Sequence, residues 1–315
     1  MKNNVAIVFP GQGSQVVGMG KDLFENYSSA KEVFNEIDEI LGYKLSQIIF
    51  EGPSDELIKT QNTQPALMAV SIALIRVLEK NYGKKFSDLC SYTAGHSLGE
   101  YSSLCASEVL SLKDTAKLLQ IRGQAMAKCA ENSKGAMSAI LGVEIDVAKQ
   151  IVEEASQGEI CQIANDNSVG QIVISGAVDA VNRANEIAKT KGAKRAILLP
   201  VSGAFHSKLM LEAQEVMHQA LLKTKFANPK VPIIANVTAQ IAQDSQQIID
   251  LLTQQITGSV RWRETMLKFE NLGVQTIIEI GSGKVLSGLV SRTCANIKTM
   301  SIQNSEDLKN FLNNN

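Results

Sequence analysis

The segment AGHSLGEY, residues 94–101, sets Ser97 between Gly95 and Gly99 in the spacing G-x-S-x-G. A short apolar run, CSYTA (90–94), precedes it, and a helical pattern from Leu98 to Ala106 follows. A nucleophile elbow requires this strand–turn–helix context, because the sharp turn raises the serine hydroxyl above the sheet. The two glycines permit a tight backbone and close packing, and a helix N-terminus offers free N–H groups to developing negative charge. The Leu98 N–H is then an oxyanion donor. The plain alternative is a helix start at which Ser97 is only a cap.

A serine hydroxyl at its own pKa is a weak nucleophile and needs a base within hydrogen-bond reach. The chain has three histidines, His96, His206 and His218. His96 adjoins Ser97, and neighbours on an extended segment point to opposite faces, so it reads as a packed structural residue. His218 lies in a helical pattern and reads as solvated or half-buried. His206, in PVSGAFHSKL (200–209), sits in a glycine-containing turn that opens a helix, where catalytic residues commonly lie. Asp244, Asp250 and Glu279 are the carboxylates in that half of the chain, and none stands out as a third member. A backbone carbonyl accepting from Nδ1–H orients a histidine equally well.

Arg122 sits among apolar residues in LLQIRGQAMA (118–127). Arginine is rarely buried without a partner. An internal ion pair or an exposed helix face accounts for it, and so does a fork that grips a substrate carboxylate in two parallel hydrogen bonds. Two glycine-rich stretches fail as nucleotide loops: GQGSQVVGMG (11–20) has Val16 and Met19 at the deciding positions, and IGSGKVLSG (280–288) has Val285 after Gly283-Lys284. Gln12, just after the first strand, is better placed to donate its N–H as a second oxyanion contact.

Strands alternating with longer helical patterns must position these groups, which is an α/β architecture. VAIVF (5–9), CSYTA (90–94), VPIIAN (231–236) and TIIEI (276–280) read as parallel strands covered on both faces. Helical patterns run from Pro65 to Lys80 and from Leu112 to Ala130. The middle of the chain differs. Strands at 136–141, 160–165, 171–175 and 195–199, with helices at 145–155 and 178–191, give the order β-α-β-β-α-β of a ferredoxin-like unit. The expected division is a hydrolase-like parallel-sheet core, residues 1–130 and 203–315, interrupted by a ferredoxin-like subdomain at 131–202. The polar tail 313–315 reads as disposable.

A chain of 315 residues with 44% hydrophobic content can bury a large core. Its net charge of −1 gives no footprint for nucleic acid or an anionic membrane. Five cysteines without a C-x-x-C pair suggest neither a disulfide framework nor a metal site, and fit a reducing compartment. The run Val5 to Phe9 is too short for a signal-peptide core, and the apolar helix near Leu67 to Leu78, broken by Ser71 and Arg76, reads as buried rather than spanning. A soluble monomer is the expectation.

FPGQGSQ (9–15), TQPAL (63–67), GHSLGEY (95–101), RGQAM (122–126), NSVGQIVISG (167–176), GAFHS (203–207) and EIGSGKVLSGL (279–289) occur in this order. In them the chain resembles the malonyl-CoA:acyl-carrier-protein transacylases of fatty acid synthesis and the related acyltransferase domains of polyketide synthases. The resemblance covers nearly the whole chain. It implies ping-pong transfer of a malonyl group from malonyl-CoA to the phosphopantetheine thiol of acyl carrier protein. Ser97 would be the nucleophile and His206 the base, with Gln12 and Leu98 as oxyanion donors and Arg122 on the substrate carboxylate. Gln255 matches the residue whose main-chain carbonyl orients the histidine. Asn165 falls at a pocket position, and Phe205 resembles the malonyl-selective form of its motif. The resemblance further implies a cytoplasmic enzyme with no bound cofactor. The chain departs from many members at Val169, Ala204 and Ser282, where those carry proline. The rivals are a trans-acting polyketide acyltransferase, a serine thioesterase or hydrolase, and a non-catalytic scaffold. The basic cluster Lys189, Lys191, Lys194 and Arg195 reads either as a carrier-protein patch or as a solvated helix end.

Overall fold

A computed structural model describes residues 4–242 and 244–313. Asn314 and Asn315 of the polar tail lie outside them. Ten strands form two sheets: β1 (Val5–Phe9), β2 (Tyr92–Gly95), β3 (Gly135–Leu141), β4 (Cys161–Ser168), β5 (Gln171–Ala177), β6 (Arg195–Leu198), β7 (Ile233–Ile234), β8 (Ile241–Ala242), β9 (Thr276–Ile280) and β10 (Lys298–Ile302).

The larger sheet has the order β10-β9-β1-β2-β7-β8 and is parallel except at the β7–β8 edge. Its central strand β1 is buried along its whole length. Val5, Ile7 and Phe9 enter one apolar core while Ala6 and Val8 enter the other. Two cores on opposite faces explain why VAIVF carries no polar alternation. The buried helix Thr60–Tyr82 lies in the first core and begins five residues before the expected Pro65, which its first turns accommodate.

The smaller sheet, β4-β5-β3-β6, is antiparallel throughout. The helices Ile145–Ser156 and Val178–Thr190 pack on it around a separate core that includes Ile140, Ile151, Ile172 and Val181. The two chain passages joining the sheets run against each other. A Cβ on Gly135 would lie 2.6 Å from Ala204 Cβ, and one on Gly203 would lie 2.4 Å from Ala130 Cβ.

Three strands differ from the sequence reading. VPIIAN shrinks to the two residues of β7, which pairs with β2 only at Thr93↔Ile233. The edge strands β8 and β10 are absent from that reading, because β10 buries only Ile302 fully and presents no continuous apolar run. No described helix is long and apolar enough to cross a membrane.

Candidate active site

The site begins where β2 ends. Ser97 adopts φ 54°, in the left-handed region that a non-glycine residue enters only when its surroundings hold it there. The flanking glycines serve packing, not backbone freedom. A Cβ on Gly95 would fall 1.9 Å from the Gly99 carbonyl carbon, and one on Gly99 would fall 2.4 Å from Phe9 O. Asn236, just past β7, clamps the turn: the Ser97 N–H donates to Asn236 Oδ1 at 2.7 Å, and Asn236 Nδ2 donates to Gly95 O at 2.7 Å. Gly99 N–H bonds to His96 O at 2.9 Å. The Leu98 N–H between them takes no part in these bonds, and the helix Gly99–Ala106 begins immediately after it.

Ser97 Oγ and His206 Nε2 are 2.8 Å apart, and His206 Nδ1 is 2.8 Å from the Gln255 main-chain oxygen. A carbonyl only accepts, so Nδ1 carries the proton and Nε2 accepts from the serine hydroxyl. His206 is buried and also has a positive φ, 55°. Gln162 on β4 braces the turn by donating to His206 O at 3.3 Å and Thr257 O at 3.0 Å. Burial, then the positive charge of Arg122, push the imidazole from 6.5 down to about 3.

None of the three candidate carboxylates orients this histidine. Asp244 caps the helix Ser245–Gln255 by accepting from Gln247 N, Asp250 is exposed, and Glu279 accepts from Leu286 N and Ser287 N. His96 donates from Nε2 to Asn167 Oδ1 at 2.8 Å beside the Trp262 ring, and half-buried His218 meets Thr253 Oγ1 at 3.3 Å. Neither lies within hydrogen-bond distance of Ser97 Oγ, whose partners among the described residues are His206 and Arg122.

Arg122 is 1% exposed. Nη1 donates to Gln64 Oε1 at 2.7 Å, while Nη2 donates to Gln255 Oε1 at 2.8 Å and to Ser97 Oγ at 3.1 Å. The Tyr101 ring lies 5.8 Å from the guanidinium carbon, and Nε has no partner among the described residues. No described carboxylate forms an ion pair with it. The internal salt bridge that the sequence left open is therefore not what holds Arg122. Neutral amide oxygens hold it, and its charge faces a cavity of about 130 Å³.

That cavity is lined by Gln12, Ser97, Leu98, Asn165, Phe205 and His206 along with Arg122. Gln255 is fully buried behind it. Sequence reasoning missed Asn236, Gln64, Glu100 and Gln162. Gln64 lies in TQPAL and Glu100 in GHSLGEY, so both were visible as residues without an assigned contact. The two glycine-rich loops pack together, Ser282 Oγ donating to Ser14 O at 2.6 Å, which anchors the loop. In the basic cluster, Lys189 pairs with Glu186 and Lys191 with Glu154, so half of its charge is already neutralised. No described cluster of three or more His, Cys, Asp or Glu could hold a metal ion.

The acyl transferase domain family matches residues 6–310. The Bacillus subtilis protein named malonyl CoA-acyl carrier protein transacylase is 45% identical over 308 residues, covering 98% of this chain and 96% of its own. The crystal structure of an acyl-carrier-protein-S-malonyltransferase from Bartonella henselae superposes with TM-score 0.95 at 50% identity, covering 99% of both chains. A solved complex of a type II PKS acyl-carrier protein with its malonyl-transacylase gives TM-score 0.95 at 38% identity, covering 99% of this chain and 100% of that one.

Proposed function

The chain belongs to the acyl transferase domain family, and from that premise we propose that it carries a malonyl group from malonyl-CoA to the phosphopantetheine thiol of an acyl carrier protein. Ser97 Oγ attacks the thioester carbonyl while His206 Nε2 takes its proton. The Gln12 and Leu98 N–H groups receive the oxyanion. Collapse breaks the C–S bond, the imidazolium returns the proton to the CoA sulfur, and a malonyl-serine ester remains. The carrier thiol then attacks that ester, His206 acts in the same sense, and the serine is regenerated.

The observation that carries this reading is Arg122: a guanidinium in the protein interior, without a carboxylate partner among the described residues, 3.1 Å from Ser97 Oγ. A buried cation without an anion in direct contact is costly, and the free carboxylate of a malonyl group supplies that contact. Asn165 and Phe205 bound the acyl pocket. The proposal includes a hydrolase-like core, 1–130 with 203–315, and a ferredoxin-like unit at 131–202, supported by the separate apolar core of the antiparallel sheet. The proposal places the chain in the cytoplasm as a monomer; the five cysteines are buried and none of them is in a disulfide, which suits a reducing compartment.

The test is intact-mass analysis after malonyl-CoA treatment, followed by addition of holo acyl carrier protein. The expected result is a malonyl adduct that leaves with the carrier and releases little free malonate. Malonate released equally fast with and without the carrier would establish a hydrolase instead.

The depressed imidazole makes a separate prediction. A histidine titrating near 6.5 would lose about tenfold of its base form between about pH 7.5 and 5.5. His206 titrates near 3 and stays neutral across that window. Single-turnover acylation should therefore vary by less than about threefold there, and a tenfold fall centred near 6.5 would contradict the buried geometry.

A further inference from the structure

The carboxyl of Glu100 is buried and has no role in the chemistry just described. It is 4% exposed and forms no ion pair with a described lysine or arginine. Oε2 accepts from Gln255 Nε2 at 2.7 Å and from the Asn236 N–H at 3.3 Å. The same Gln255 Nε2 donates to Ser97 O at 2.9 Å, while Gln255 Oε1 accepts from Arg122 Nη2 at 2.8 Å. One side-chain amide thus stands between a buried carboxyl and a buried cation. Its orientation is forced: reversed, it would set N–H groups against a guanidinium, and its carbonyl oxygen against a carboxylate and a carbonyl.

We propose that Glu100 is a positioning residue for selection of the carboxylate-bearing acyl group, acting on Arg122 through the side-chain amide of Gln255. A direct Glu–Arg pair would neutralise the guanidinium and compete with a substrate carboxylate. The interposed amide aims Nη2 and leaves the charge available, and Gln64 Oε1 does the same for Nη1. Glu100 also steadies both ends of the site, because the Gln255 main-chain oxygen holds His206 and Asn236 holds the elbow. Burial raises the Glu100 carboxyl to about 7, an effect opposed by its hydrogen bonds from Gln255 and Asn236 and by Arg122. An acceptor at that position matters more than its charge, so glutamine, whose amide oxygen can face Gln255 Nε2, should substitute for it.

The inference rests on the malonyl-transfer reading, and the experiment separates the two. Single-turnover acylation of the full chain by malonyl-CoA and by acetyl-CoA is followed by intact mass in wild type, Glu100→Ala, Glu100→Asp and Glu100→Gln. Wild type that acquires no malonyl adduct ends the functional reading itself. With that adduct present, Glu100→Ala is expected to lower the malonyl-to-acetyl rate ratio about tenfold or more, in line with loss of a buried hydrogen-bond acceptor and a displaced fork. Glu100→Asp keeps the carboxyl but withdraws the acceptor by about one carbon–carbon bond, and is expected to lower the ratio in the same direction. Glu100→Gln is expected to hold it within about threefold. If Glu100→Ala does not fold, the aspartate and glutamine variants decide. A ratio unchanged in a folded alanine or aspartate variant overturns the proposal. So does an equal fall in both rates, which would mark a purely structural residue, or a glutamine variant as impaired as the others.

Discussion

Ser97→Ala is expected to take up no malonyl adduct and to transfer malonyl groups at least about 10⁴-fold more slowly than wild type. The expectation follows from geometry that alanine leaves intact. The Asn236 clamp grips the backbone N–H of residue 97 and the carbonyl of Gly95, so the elbow keeps its shape without the hydroxyl. Alanine tolerates the left-handed φ of 54° about as well as serine does. Arg122 keeps its amide partners on Gln64 and Gln255. Only the atom that forms the ester is lost, together with the proton that His206 would take. His206→Ala should give a comparable loss, and the double variant little more, because nucleophile and base act as one unit. Intact mass reads the adduct and thiol-to-thiol transfer reads the rate. A Ser97→Ala chain that transfers malonyl groups within tenfold of wild type would remove the covalent mechanism.

The residues of the site differ sharply in how visible they are in the sequence, and the reason is physical. Ser97 declared itself through the glycines, which are required because the Gly95 and Gly99 backbones touch their neighbours more closely than any Cβ allows. His206 emerged from scarcity among three histidines, and Arg122 from standing in an apolar stretch. Asn236 and Glu100 carry no such mark. Their meaning arises only when the end of β7, the start of the elbow helix and the end of the helix Ser245–Gln255 converge, which no local pattern records. The group that orients His206 is a peptide carbonyl, present at every residue and therefore without a sequence signature. The assignment to Gln255 came from family resemblance alone, and its side chain turns out to contact Arg122 as well. The sheets divide in the same way. β1 and β9 coincide with their apolar runs because both faces are covered, whereas the edges β8 and β10 were invisible because they are only partly buried.

Arg122→Ala is expected to collapse the preference for malonyl over acetyl by about 10²–10⁴-fold, with a much smaller effect on acetyl transfer itself. An acetyl group has no anion for the guanidinium, so the charge stays buried and held only by amide oxygens, a cost that falls on the wrong substrate alone. Removing the side chain abolishes that penalty and the malonyl contact together, which is why the ratio should move further than either rate judged separately. Arg122→Lys should not restore it: an ammonium cannot reach Gln64, Gln255 and a substrate carboxylate at once in the fixed fork that two parallel hydrogen bonds require. The variant also clarifies why the family fold, common to many acyl transfers, gives no selectivity by itself. The elbow, His206 and the oxyanion donors proposed at Gln12 and Leu98 would by themselves accept any thioester. On the proposed reading, one buried charge 3.1 Å from Ser97 Oγ would distinguish a dicarboxylic acyl unit. If the alanine variant keeps the wild-type malonyl-to-acetyl ratio in single-turnover acylation, selectivity resides elsewhere in the cavity and the assignment of Arg122 is wrong.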